Sequence, residues 1–165
     1  MKPERTEVFA QGLVAGLAGY ATVAVFFAIV NLIAGRSVFH TAALLGSALF
    51  YGLRDPAQLV IAPGPVLSYN GLHLVIFLCL GTIAAWLAYL AEKGPELWYV
   101  GAVAFIFMAF HTFGFFLALT QPVRAALAPW LMLAAGGIGC AAMAAYLVWV
   151  HPRIRWEMRH YPETT

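Results

Sequence analysis

Three histidines of this sequence have side chains that could bind a metal ion or a haem iron: His40, His73 and His111. Neutral imidazole is a ligand for Zn, Cu and Fe, so a site that gathers all three has suitable ligand chemistry. No HxxxH spacing and no carboxylate within an apolar tract accompany them, and enzyme metal sites usually include such partners. We therefore keep haem b, a metal ion or a quinone as candidate cofactors, with no cofactor as the default.

A b-type haem held between His73 and His111 would need the two imidazoles at nearly the same depth. If the chain folds back at the polar segment 92–96, position 73 lies level with about position 116. At about 1.5 Å per residue, His111 then lies roughly 7 to 8 Å deeper than His73. The offset disfavours a haem, and bonding of His111 to a neighbouring helix is the main alternative. An ionisable residue inside a membrane still warrants a functional hypothesis.

Four polar side chains are expected on the same side of the membrane as these histidines and form a candidate ligand pocket: Asn31, Arg54, Tyr69 and Asn70. The guanidinium of Arg54 could hold an anionic headgroup or a quinone oxygen. Segment 38–67 would cover this pocket, with Arg36 and Asp55 folded over it. Tyr69 and Asn70 have an alternative role as a polar collar at the start of a spanning helix, where Asn70 could serve as the N-cap.

The composition indicates that the segments carrying these side chains lie in a membrane. Of 165 residues, 63% are hydrophobic and 10% are charged, with mean hydropathy +0.84. A soluble domain carries about 25% charged residues, so this chain lacks the polar groups to cover a soluble globule. Four tracts without Asp, Glu, Lys or Arg are each long enough to cross the hydrocarbon layer: residues 8–35, 56–91, 97–123 and 125–152.

We expect an all-α integral membrane protein with a single domain over residues 1–165, built as a four-helix transmembrane bundle. Backbone groups in lipid must be hydrogen-bonded within the chain, which favours helices. A short segment between the first two spans is bracketed by charges, and we interpret it as an interfacial or re-entrant helix. The proline-rich stretch 57–67 is expected to be non-helical. The expected boundaries are about 8–34, 69–91, 97–119 and 125–150 for the spans, about 38–53 for the short helix, and 151–165 for a cytoplasmic tail.

The placement of lysine and arginine predicts the orientation. With four spans both termini lie on one side of the membrane. That side carries six basic residues: Lys2, Arg5, Lys93, Arg153, Arg155 and Arg159. The other side carries three: Arg36, Arg54 and Arg124. The positive-inside rule then places both termini in the cytoplasm. We expect a bacterial inner membrane protein whose histidine cluster faces the exterior.

Small residues indicate where helices pack closely in lipid. Gly12, Gly16 and Gly19 form a stripe on the first span, and Gly136 and Gly137 lie in a small-residue tract of the last span. Packing of the first span against the last and docking to a partner subunit are both compatible with this pattern.

Two functions remain open. The absence of a recognisable catalytic set favours a non-enzymatic role, as an accessory or structural subunit of a larger membrane complex such as a respiratory or photosynthetic electron-transfer assembly. The alternative is a small redox or ligand-binding bundle that uses the exoplasmic histidines. The expected partners are the lipid bilayer and either other membrane subunits or further copies of this chain. Nucleic acid is not expected, because no basic patch with interleaved aromatic residues occurs.

Overall fold

A computed structural model describes residues 5–91, 117, 119–152 and 156. The helical elements of this part of the chain are α-helices, apart from one 3-10 turn. No strand occurs among these residues. The described elements are α1 (Arg5–Ile33), α2 (His40–Phe50), a 3-10 turn (Pro56–Gln58), α3 (Pro63–Ala91), α4 (Gln121–Ala126) and α5 (Pro129–Val150).

Three of these helices, α1, α3 and α5, are long and apolar enough to cross a bilayer. This confirms the helical membrane class, while the predicted span at 97–119 lies almost entirely outside the described residues. The short helix α2 has 11 residues and cannot span.

The spanning helices α3 and α5 both run antiparallel to α1. A Cβ on Gly12 would meet the backbone of Thr82, and one on Gly16 would meet the backbone of Phe77, so α1 and α3 are antiparallel. Gly19 similarly meets Met143 of α5, and Gly139 meets Val23 of α1. Because both α3 and α5 run opposite to α1, they run parallel to each other.

The helix boundaries differ from the sequence-based expectation where proline is involved. α3 begins at Pro63, six residues before the expected start. Proline is tolerated there because the amides of the first helical turn have no hydrogen-bond partner within the helix, so the missing N–H of proline costs nothing. The expectation that 57–67 is wholly non-helical is therefore wrong for its second half. α5 begins at Pro129 rather than near 125, since the residue before a proline is driven out of the helical region, and Ala128 is extended (φ −66°, ψ 118°).

The turn after α1 is a Schellman motif that fixes the position of the following residues. The amide of Gly35 donates to the carbonyl oxygen of Leu32 at 2.9 Å, and the amide of Arg36 donates to that of Asn31 at 2.8 Å. Gly35 has φ +67°, a conformation that glycine adopts without steric cost. The motif ends α1 one residue earlier than expected and directs Arg36 and Ser37 back towards α2.

α2 packs against α3 and against the chain around α4. Its side chains Leu44 and Leu45 are buried with Leu119, Val123 and Leu127 in one apolar cluster. Gly46 of α2 lies against the backbone of Pro65 in α3, where a Cβ would collide with the carbonyl oxygen. α2 starts at His40, with Phe39 as its N-cap and no side-chain cap.

Candidate functional site

The predicted pocket residues lie at one end of the bundle, where α1 ends and where α2, α3 and α5 begin. This shared end follows from the antiparallel packing of α1 against both other spanning helices. The side chains separate into two groups: a cavity around Arg36 at this end, and an aromatic cluster around His73 that includes Tyr20 near the middle of α1.

The Arg36 cavity has a volume of about 250 Å³ and lies between α1, α2 and the start of α5. Its polar lining comes from Asn31, Arg36, His40 and Thr41. The rest of the wall is mainly apolar and includes Phe27, Val30, Leu44, Leu127, Leu131 and Met132. The cavity therefore combines an apolar interior with a small polar region, as ligand sites in proteins commonly do.

Asn31 ties the wall of this cavity together. Its side chain is 3% exposed, and its Oδ1 accepts a hydrogen bond from Thr41 Oγ1 at 3.0 Å. Its Nδ2 donates to the carbonyl oxygen of Val38 at 3.3 Å. A buried amide needs such partners, and here they join the end of α1 to the start of α2.

His40 and Arg36 carry the charge chemistry of the cavity. Partial burial lowers the pKa of His40, and the nearby positive charge of Arg36 lowers it further. His40 is therefore a neutral imidazole at pH 7, with one nitrogen able to donate and one able to accept. Arg36 contributes a guanidinium, so the fixed charge of the cavity is positive.

The His73 cluster lies between α1 and α3. The ring of His73 stacks on Tyr69, with centroids 5.2 Å apart. It meets Tyr20 edge-on at 5.8 Å and Phe77 at 4.9 Å. Half-buried His73 therefore contacts three aromatic rings.

Asn70 belongs to this cluster rather than capping a helix. It lies inside α3, seven residues after Pro63, and its Nδ2 donates to the carbonyl oxygen of Val66 at 2.8 Å. Its Oδ1 accepts from the Tyr20 hydroxyl at 2.9 Å. Asn70 thus links α3 to α1, and the N-cap role expected from the sequence is wrong because the helix starts earlier.

The two groups are separate sites along α1. Tyr20, which contacts His73, and Asn31, which bonds to Thr41 next to His40, are 11 positions apart in the sequence. At 1.5 Å per residue this separation is roughly 16 Å along the helix axis. The expected single pocket is thus divided, with Asn31 and His40 in one group and Tyr69, Asn70 and His73 in the other.

Arg54 is exposed and lies outside both groups. Its carbonyl oxygen accepts from Thr120 Oγ1 at 3.4 Å, which anchors the loop after α2 to the start of α4. The neighbouring carboxylate of Asp55 caps the 3-10 turn by accepting from the amide of Ala57 at 2.9 Å.

The proposed metal ligands are not gathered in the described residues. No three His, Cys, Asp or Glu side chains within these ranges lie close enough together to share a metal ion. His111 falls outside the described residues, so its role as a ligand stays a prediction.

The glycine stripe of α1 packs mainly against α3. Gly12 and Gly16 meet α3, and Gly81 of α3 fits between them. Gly19 reaches both α3 and α5. The expectation that the stripe packs against the last span therefore holds only for Gly19. Gly12 and Gly16 pack against α3 instead, where Gly81 allows the two backbones to approach closely.

The small residues of α5 divide between two faces. Gly139 faces the core, whereas Gly137 is exposed and has no neighbour within 4 Å of the position of a Cβ. Gly136 is half-buried.

Sequence reasoning did not select Tyr20 or Thr41, although both contribute to these groups. Each residue has a polar hydroxyl within an apolar stretch of sequence, and this feature could have indicated a site residue. The wall formed by residues 126–132 could not be anticipated, because it depends on how the chain returns to the end of α1.

Comparison of the chain with protein-family models, with curated proteins and with solved structures finds no match.

Proposed function

We propose that this chain is a four-span, non-catalytic subunit of a larger membrane assembly, with both termini in the cytoplasm of a bacterial inner membrane. The observation that carries the assembly role is the outer face of α5, which we define as Gly137, Ala141, Ala144 and Ala145. All four residues are exposed.

Small residues on an exposed face favour helix association over contact with lipid. They allow two backbones to approach closely, so that van der Waals contacts between helices replace contacts with acyl chains. On α5 the exposed bulky side chains Leu133, Ile138 and Trp149 surround this patch of small residues. The exposed face of α1 has no such patch, because bulky side chains such as Val14, Leu17 and Val25 dominate it. We assign the α1 face to lipid and the outer face of α5 to another helix of the assembly.

The chain directions support the four-span topology. α3 ends near the start of α1, and α5 begins near the end of α1, because both run antiparallel to it. The intervening chain, residues 92–128, must therefore join opposite ends of the bundle. Its apolar tract at 97–119 matches the length needed to cross hydrocarbon.

An assembly measurement tests the subunit role. The protein is extracted from its native membrane in a mild detergent, and the mass of the particle is measured by native mass spectrometry. We expect a particle heavier than the 17.9 kDa chain. Ala141→Leu should dissociate it, since overpacking a close helix contact costs on the order of 1–3 kcal/mol.

The matched control is Ala21→Leu, which adds the same bulk to an exposed alanine of α1. It should leave the particle intact, because a leucine on a lipid-facing surface is compatible with acyl chains. A wild-type particle with the mass of one chain would overturn the subunit role, and equal dissociation by both variants would overturn the assignment of the α5 face.

A small ligand-binding bundle is the second candidate. The Arg36 cavity beside His40 and the three aromatic contacts of His73 favour it. A visible absorption spectrum, elemental analysis and quinone extraction of the purified protein test it. A Soret band, a stoichiometric metal or a co-extracted quinone would support this function, and a colourless protein without metal or quinone would reject it.

A further inference from the structure

We propose that the Arg36 cavity binds the phosphate head of an anionic phospholipid, with Arg36 and His40 contacting the phosphate and the apolar wall receiving the adjoining methylene groups. Lipid binding at this cavity does not require assembly with a partner, and the lipid is an occupant other than a haem, metal or quinone.

The charge of the lining favours an anion. Arg36 and His40 are the titratable side chains among the described residues that line the cavity, and no carboxylate is part of that lining. Asp55, the described acidic residue of the neighbouring loop, is engaged with the amide of Ala57. A guanidinium matches the geometry of a phosphate and can bind it through two parallel hydrogen bonds.

The size of the cavity favours a headgroup over a whole lipid. Apolar cavities of about 150 Å³ accommodate benzene, so about 250 Å³ provides space for a phosphate and a few methylene groups. Phe27, Leu127 and Leu131 supply the apolar wall. The acyl chains must then leave the cavity towards the bilayer.

The position of the cavity matches the depth of lipid headgroups. It lies where α1 ends and α5 begins, and both helices are long enough to extend through the hydrocarbon to the headgroup region. Exposed Arg36 comes directly after the turn that ends α1, so its charge lies at the membrane boundary. An amphiphile can therefore place its phosphate at Arg36 while its acyl chains stay in the membrane.

His40 makes this binding depend on pH. Without an anion beside it the imidazole is neutral at pH 7, because burial and Arg36 both lower the pKa of His40. A bound phosphate places a negative charge next to the ring and favours the imidazolium. Binding should then be coupled to proton uptake and should tighten as the pH falls. The other described lining residues, from α1, α2 and residues 126–132, carry no titratable group.

Binding of palmitoyl-oleoyl phosphatidylglycerol to the full chain in detergent tests the proposal, with native mass spectrometry as the readout. The phosphodiester keeps its charge between about pH 5.5 and about pH 7.5, so a change in affinity over this range reports on the protein. We expect tighter binding at the lower pH. Arg36→Gln should weaken binding about tenfold or more, and Arg36→Lys should retain part of it.

Arg54→Gln is the matched control, because it removes the same charge at the same end of the bundle from a residue outside the cavity. It should leave the affinity nearly unchanged. His40→Gln should abolish the pH dependence while preserving binding at the higher pH. Equal losses for the Arg36→Gln and Arg54→Gln variants would overturn the site, since they would indicate a diffuse attraction of the surface for anions.

Two further probes separate the possible ligands. Inorganic phosphate should bind far more weakly than the lipid, because it gains nothing from the apolar wall. Equal affinity for the two would overturn the lipid assignment. Displacement of phosphatidylglycerol by decylubiquinone at equal concentration would overturn it as well, in favour of a quinone.

Discussion

At the scale of single residues, glycine decides how closely α1 and α3 approach. The contacts of Gly12, Gly16 and Gly81 are with backbone atoms, which cannot move aside as a flexible side chain can. In lipid, where burial of apolar surface does not favour one helix contact over another, such close packing stabilises the bundle.

Gly81→Ala should therefore destabilise the protein. The added Cβ would collide with the carbonyl oxygen of Gly12 and the backbone nitrogen of Gly16. We expect a loss of about 1–3 kcal/mol in the free energy of unfolding, measured as a shift in the SDS-induced transition followed by circular dichroism. Gly71→Ala, in the same helix but with no neighbour within 4 Å, is the control. It should be neutral or stabilising because alanine has the higher helix propensity, and equal transitions for the two variants would contradict the packing.

At the scale of elements, the turn between α1 and α2 determines which polar side chains lie at this end of the bundle. The Schellman motif at Gly35 ends α1, and the hydrogen bonds of Asn31 to Thr41 and Val38 hold the start of α2 against it. Arg36 and His40 lie within this short segment. Their position at the cavity is consequently a property of the turn and not of either helix alone.

A test of this turn uses two substitutions of Gly35. Gly35→Ala should cost roughly 1–2 kcal/mol, because an L-residue with a Cβ is strained at φ +67°. Gly35→Asn should cost less, since asparagine tolerates the left-handed conformation. Thermal unfolding gives the stability, and amide hydrogen exchange at residues 34–41 reports whether the turn itself opens. Equal effects of alanine and asparagine would indicate that the backbone conformation is not the cause.

At the scale of the whole molecule, the parallel direction of α3 and α5 constrains the topology. In the topology that we propose, the chain between α3 and α5 adds one crossing to the three described helices. Four crossings would place both termini on the same side, as the distribution of basic residues predicts.

Cysteine labelling tests this topology in a variant whose native Cys79 and Cys140 are replaced by serine. Ser37→Cys, in the exposed turn after α1, should react with a membrane-impermeant maleimide in intact cells. A single cysteine placed at either chain end should react only after the membrane is opened. Labelling of the two ends from opposite sides would rule out an even number of crossings.

The sequence by itself determined the class of the protein and the approximate extent of its described spanning helices. Uncharged tracts of this length are stable only as helices in hydrocarbon, so this inference needs no knowledge of packing. Local chemistry also accounts for three boundaries of these helices: Gly35 follows the end of α1, and Pro63 and Pro129 begin α3 and α5. Only the tertiary structure decided that α1 packs its glycines against α3, that Asn70 pairs with Tyr20, and that residues 126–132 close the cavity beside Arg36. These contacts join residues far apart in the chain, and they depend on helix rotation and depth, which an almost uniformly apolar surface does not encode in its pattern.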